Sequence, residues 1–244
     1  SRGVSSAIPG HDHAVPGSDA RSAPVARISR AVLTANARTA WDRGIRAYDA
    51  SILDADAWGH GVELVRDVLA TIGLEARTHH VGVTSADSVP VASRTDMLSA
   101  IALFGLPGAE HPAVPALRLT GTVLSVKDLR EGEGVSYGYA YRASADTRVA
   151  LVTGGYAQGI VRALGGAVDV AIAGERHPVV GRVAMDVCVV DITDAAVRRG
   201  DEVLFLGDPA EGEPSLVEWV RAAGLTAGEL VTMVGLRAGR EETS

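Results

Sequence analysis

Residues 148–192 read RVALVTGGYAQGIVRALGGAVDVAIAGERHPVVGRVAMDVCVVDI. Runs of Val, Ile and Thr alternate with breaks at glycine, which predicts strands over 148–153, 168–173, 178–183 and 188–192. Ala173-Gly174-Glu175-Arg176 has the composition of a hairpin turn between two of them. The same texture extends outward, with strands expected at 117–129, 135–142 and 202–205. Short helices are expected at 216–223 and 229–236. The stretch 100–238 therefore reads as a β domain with helical trimmings, and 239–244 as a tail.

Upstream, 25–99 has an α/β texture. Ser29 is a natural cap for a helix from Arg30 to about Arg43, and a strand is expected at 47–53. Residues 55–61 then turn. Val62, Val65, Val68, Leu69 and Ile72 recur at helical spacing, with Gly73 as the stop and a second strand at 77–83. Strand, helix, strand is a βαβ unit, which favours parallel pairing. Residues 1–24, rich in Gly, Ser, Pro and Ala, read as a disordered leader, and its His11-Asp12-His13 as exposed tail. The fold class expected is α+β.

A net charge of −7 without any basic cluster argues against nucleic acid and anionic membrane as partners. No apolar run approaches the ~18 residues of a spanning helix, and no secretory signal is evident. The lone Cys188 excludes an internal disulfide and fits a reducing cytoplasm. His79 and His80, adjacent on an expected strand, point to opposite faces and make no joint metal site. Of 23 basic residues only Lys127 is a lysine, so imine chemistry has one candidate.

Four motifs stand in one order: Ile101-Ala102-Leu103-Phe104-Gly105-Leu106, Gly134-Val135-Ser136-Tyr137-Gly138, Gly155-Tyr156-Ala157-Gln158-Gly159 with Arg162 beyond it, and Val180-Gly181-Arg182-Val183-Ala184-Met185-Asp186. In this the chain resembles the alanine racemase family. Ile52-Leu53-Asp54-Ala55-Asp56-Ala57-Trp58-Gly59-His60-Gly61 lies over the motif in which that family holds pyridoxal phosphate on a lysine. Here Asp54 stands at the lysine position and Trp58 at that of a phosphate-contacting tyrosine. Gly228 stands at the position of a second such tyrosine, and Gln158 at that of the motif's aspartate. The family's (β/α) barrel takes about 250 residues, yet fewer than 80 separate Ala26 from Ile101.

The resemblance implies that Tyr137 is the retained half of an acid–base pair acting across a dimer, and that Tyr156, Arg162, Arg182, Met185 and Asp186 line a substrate mouth. Asp54 cannot form an imine, and Lys127 lies where the family tends to carry an unrelated lysine. The expectation is that no pyridoxal phosphate is bound and that racemisation is lost. A cofactor-free route through paired thiols fails on the single cysteine, which reads as a core residue. Three functions stay open. One is a binding, regulatory or partner subunit. Another is a different enzyme using Tyr137, Asp54, His60 or Asp186 for acid–base work on a small molecule in a remodelled cleft. The third and least supported is alanine racemisation itself. A homodimer, or a pair with a full-length alanine racemase, would cover the edges that a truncated barrel leaves open.

Overall fold

The computed structural model describes residues 23–78 and 96–244. Most of the leader, including His11, Asp12 and His13, and the pair His79 and His80 lie outside the described residues.

The first strand, β1 (Val25–Ser29), runs straight into helix α1 (Arg30–Asp42), whose N-terminus is capped by the Ser29 hydroxyl accepting from the Val32 N–H. Next come β2 (Ala47–Asp49), a 3-10 turn and the helical turn α2 (Asp54–Trp58). Helix α3 (Val62–Ile72) buries Leu64, Val65, Val68, Leu69 and Ile72, one apolar face. It stops at Gly73, where φ of +91° is a conformation that glycine adopts without cost. Beyond lie β3 (Glu75–Arg77), β4 (Met97–Leu98) and α4 (Ala100–Phe104). β3 and β4 flank β2 in a small parallel sheet, as the βαβ reading requires.

The β portion comprises β5 (Leu117–Leu129), β6 (Gly134–Val135), β7 (Tyr141–Arg142), β8 (Thr147–Thr153), β9 (Asp169–Ile172), β10 (Glu175–Val180), β11 (Val187–Asp191) and β12 (Glu202–Leu206). After them come α5 (Leu216–Ala223), α6 (Ala227–Arg237) and β13 (Gly239–Thr243). Ser215 with Glu218 and Thr226 with Glu229 form capping boxes that start the two helices. The order β12-β9-β10-β11-β8-β5 closes on itself because β5 also pairs with β12, so six antiparallel strands make a barrel-like sheet. The thirteen-residue β5 supports the closure by giving its first half to β12 and its second half to β8. Ala173 and Gly174, with φ of +51° and +84°, make the expected tight hairpin between β9 and β10.

Several expectations are corrected. Residues 239–244 are not a tail, because Gly239–Thr243 pairs in parallel with β1. The division at residue 99/100 is not a packing boundary. β1 lies between β5 and β13, and one buried core joins Leu33 and Leu69 to Leu119 and Val190. The barrel fragment thus covers one of its strands within the chain itself. The strand expected at 135–142 is broken because Ser136, Gly138 and Tyr139 have φ of +70°, +75° and +50°, which no continuous strand accommodates. β10 ends at Val180 rather than 183 because Gly181 has φ of +70°. The strand from Ala47 gives way after Asp49, whose carboxylate accepts from the Ser51 N–H and starts the 3-10 turn.

Candidate functional site

Two groups of motif residues meet α6 from different sides. The first is the turn following β2. Ala55, Asp56, Ala57 and Trp58 all have left-handed φ, between +50° and +55°. Each costs an L-residue about 1–2 kcal/mol, so the surroundings must hold the turn in place. They do so through several groups. Asp56 accepts from the Val62 N–H at 2.7 Å and pairs with Arg240 at 2.6 Å. Arg240 also donates to the Gly59 carbonyl. The Trp58 indole N–H donates to the Ser51 carbonyl at 3.2 Å. Gly59 sits directly on Gly235 of α6, where a Cβ on Gly59 would fall 2.6 Å from the Gly235 Cα.

His60 is buried, with its ring stacked 3.9 Å from that of Phe104. Its Nδ1 lies 3.1 Å from the Ala57 and Trp58 carbonyls, which only accept, so Nδ1 carries the proton. Burial, with a smaller contribution from the nearby Arg240, lowers its pKa to about 4 against the pull of those two carbonyls. At neutral pH it is an uncharged packing group. The Asp54 carboxylate, by contrast, is exposed and makes no hydrogen bond or ion pair among the described residues. Nothing in these contacts joins Asp54 to His60 as an acid–base pair.

The second group is knitted from three loops. The Tyr156 and Ala157 N–H groups donate to the Ala184 and Met185 carbonyls at 2.9 Å, and Gly154 N–H to that of Asp186 at 2.8 Å. A Cβ on Gly155 would collide with the Ala184 and Met185 carbonyl oxygens, which explains the glycine. The Ser136 hydroxyl accepts from the Arg182 N–H at 2.8 Å, bringing in the turn Tyr137–Tyr139. Arg162 sits over the Tyr156 ring at 5.9 Å. Tyr156 and Met185 are exposed apolar side chains on this face, as is Tyr139. Gly159 meets the backbone of Met233 and Val234 on α6. The structure therefore brings Tyr156, Arg162, Arg182, Met185, Asp186 and the Tyr137 turn together as one face, and holds Asp54 and His60 in a separate turn.

Gln158 has a structural role of its own. Its Oε1 accepts from the Gly155 N–H at 3.0 Å and its Nε2 donates to Asp186 at 2.9 Å. An aspartate could not supply that donor. Gln158→Glu keeps the length, loses the donor and sets two carboxylates side by side. A loss of about 1 kcal/mol is expected, read as a fall of roughly 3 °C in Tm. An unchanged Tm would show that the bridge carries no weight.

Cys188 and Lys127 take no part. The thiol is buried, which pushes its pKa up to about 12, and Lys127 is exposed on β5. Sequence reading missed Arg240, whose partners Asp56 and Gly59 stand more than 180 residues away. It also missed the stacking role of Phe104. Neither residue carries a local signal. Among the described residues no group of His, Cys, Asp and Glu is arranged to hold a metal, and no helix is long and apolar enough to cross a membrane.

Residues 116–242 match the family model for the alanine racemase C-terminal domain, a match that runs into β13. The alanine racemase of Thermobifida fusca is 36% identical over 181 residues, covering 72% of this chain and 48% of that protein. That of Mycobacterium leprae is 38% identical over 175 residues, covering 69% and 45%. The chain spans about half the length of the curated relatives it matches. The solved alanine racemase from Streptomyces coelicolor A3(2) superposes with a TM-score of 0.72 at 20% identity, over 92% of this chain and 99% of that one, a likeness of fold. By its matched domain, its relatives and its architecture, this chain belongs to the alanine racemase family.

Proposed function

We propose that this chain does not racemise amino acids through pyridoxal phosphate and acts instead as a binding or partner subunit of the alanine racemase type. The observation that carries this is Asp54, a solvent-exposed carboxylate where the family's cofactor lysine would stand. Racemisation removes a proton from a carbon that is far too weak an acid unless the cofactor withdraws its electrons. The residues present do not fit that cofactor. A carboxylate cannot form the covalent link, and it repels a phosphate-bearing ligand. At Gly228 the side chain of a phosphate-binding tyrosine is missing, and the Trp58 ring lies over the glycine.

The exposure of Asp54 and the burial of His60 also weigh against a new acid–base enzyme in this turn. What is kept intact is the loop face of Tyr156, Arg162, Arg182, Met185 and Asp186, carried with the Tyr137 turn. That face suits a subunit presenting the turn Tyr137–Tyr139 to a site on another chain, either a second copy or a full-length racemase.

Two measurements test this. Protein incubated with pyridoxal phosphate and freed of unbound cofactor by gel filtration should keep no band near the visible edge that hydroxylamine removes; such a band would overturn the proposal. The chain should also be co-expressed with a full-length alanine racemase whose own catalytic tyrosine is changed to phenylalanine. Activity should return, and should vanish again with Tyr137→Phe in this chain. If the two chains neither co-purify nor recover activity, the partner role is wrong. Asp54→Lys alone should not produce racemisation.

A further inference from the structure

The absence of a side chain at residue 228 has a physical counterpart. Gly228 lies in the first turn of α6, and its φ is not left-handed, so the helix backbone itself does not call for glycine. Alanine there would favour the helix. The obstacle is Trp58: a Cβ on Gly228 would fall 2.7 Å from Trp58 Cζ3 and 3.3 Å from Cε3. The indole is held in place by three contacts. Its N–H is tied to the Ser51 carbonyl at 3.2 Å, its ring is 6.0 Å from that of Phe104, and its backbone is fixed in the left-handed turn. The ring also forms a shared wall between two clefts. One, of about 530 Å³, is bordered by Thr226, Glu229, Thr232 and Met233; the other, of about 370 Å³, by Asp49, Ser51 and Ser99.

We infer that Trp58 and Gly228 form a steric lock, in which the indole fills the volume that a side chain at 228 would need and so determines which ligands the cleft beside α6 admits. This deepens the proposed loss of cofactor and rests on it. Exclusion then has a second cause besides Asp54: a tyrosine cannot be seated at 228, and no phosphate can be held from there, until the indole is removed. Substitutions at the two positions are consequently not independent.

The test is a double-mutant cycle on the full chain. Gly228→Ala should lower Tm by about 5 °C, the effect of overpacking against a tethered ring. In the Trp58→Ala background the same change should leave Tm unchanged or raise it. Equal shifts in both backgrounds would overturn the lock. A second readout separates packing from ligand exclusion. The triple variant Asp54→Lys, Trp58→Ala, Gly228→Tyr should take up pyridoxal phosphate about tenfold more tightly than Asp54→Lys, Gly228→Tyr, which keeps the indole, the worth of one charge-assisted hydrogen bond. Equal affinity would show that the lock excludes nothing. Uptake by the unaltered chain would overturn the proposed function while leaving the thermal cycle to decide the lock.

Discussion

Replacing Gly59 by alanine is expected to abolish stable folding or to cost at least about 4 kcal/mol. Two effects add. With φ of +78°, an alanine pays about 1–2 kcal/mol for its conformation alone. Its Cβ would then stand 2.6 Å from the Gly235 Cα, 2.9 Å from the Gly235 carbonyl carbon and 3.1 Å from the Thr232 carbonyl oxygen. All three are backbone atoms of one helix, so no rotamer change relieves them. The turn 55–61 would have to lift off α6, breaking the Arg240 contacts with Asp56 and Gly59. Thermal unfolding should show a fall of 10 °C or more, on the order set by the size of the chain, or the protein should be insoluble. Gly44→Ala is the control. Its φ is +91° but nothing lies within 4 Å of the added carbon, so it carries the conformational cost only. Equal losses at the two sites would show that the Gly59–Gly235 approach is not what holds the turn.

Acid should unfold this protein from higher pH than its carboxylates alone would require, because of His60. Burial holds the folded imidazole at about 4 from an ordinary 6.5. Between those values the unfolded chain binds a proton that the folded chain refuses. Its stability contribution is therefore full above pH 6.5 and is lost progressively as pH falls to 4, by roughly 3 kcal/mol in all. Asp56 adds to the loss at lower pH. Burial raises its pKa, but the Val62 N–H and Arg240 more than offset this and leave it below the usual carboxylate range. Its contribution is present above the ordinary carboxylate value and disappears as pH drops through the lowered one. Denaturant midpoints at pH 7, 5.5 and 4.5 should fall steadily. In His60→Asn, which keeps a donor for the carbonyls, the slope between 6.5 and 4 should flatten. An unchanged slope would mean that His60 does not report on folding.

Much of the architecture can be read locally. The helix over 62–72 follows from its apolar spacing and its terminal glycine, and the strand at 117–129 from its β-branched run. Ser29 and Ala173-Gly174 mark a helix start and a turn through their own short-range hydrogen bonds or dihedrals. Such signals act over a few residues and so survive in a linear reading. The motif glycines likewise announce close approach, as Gly155 does against Ala184 and Met185. The substitutions at 54, 58, 158 and 228 are visible as letters.

What those letters do was settled only by contacts between distant residues. Residues 239–243 look like a polar tail because a strand two residues from a helix end, without an apolar face, has no periodic signature; pairing with β1 makes them structure. The left-handed turn at 55–58 runs against the preference of each residue in it, and stands because Arg240, Ser51 and Gly235 hold it from outside. Whether Asp54 would be a buried acid or an exposed one depended on how the turn docked, and it is exposed. Sequence alone therefore determined the family resemblance, most of the element order and the missing lysine, since these are properties of residue type and spacing. The closed sheet, the neutrality of His60 and the interlock of Trp58 with Gly228 were decided by tertiary packing, because desolvation and steric exclusion depend on which atoms become neighbours.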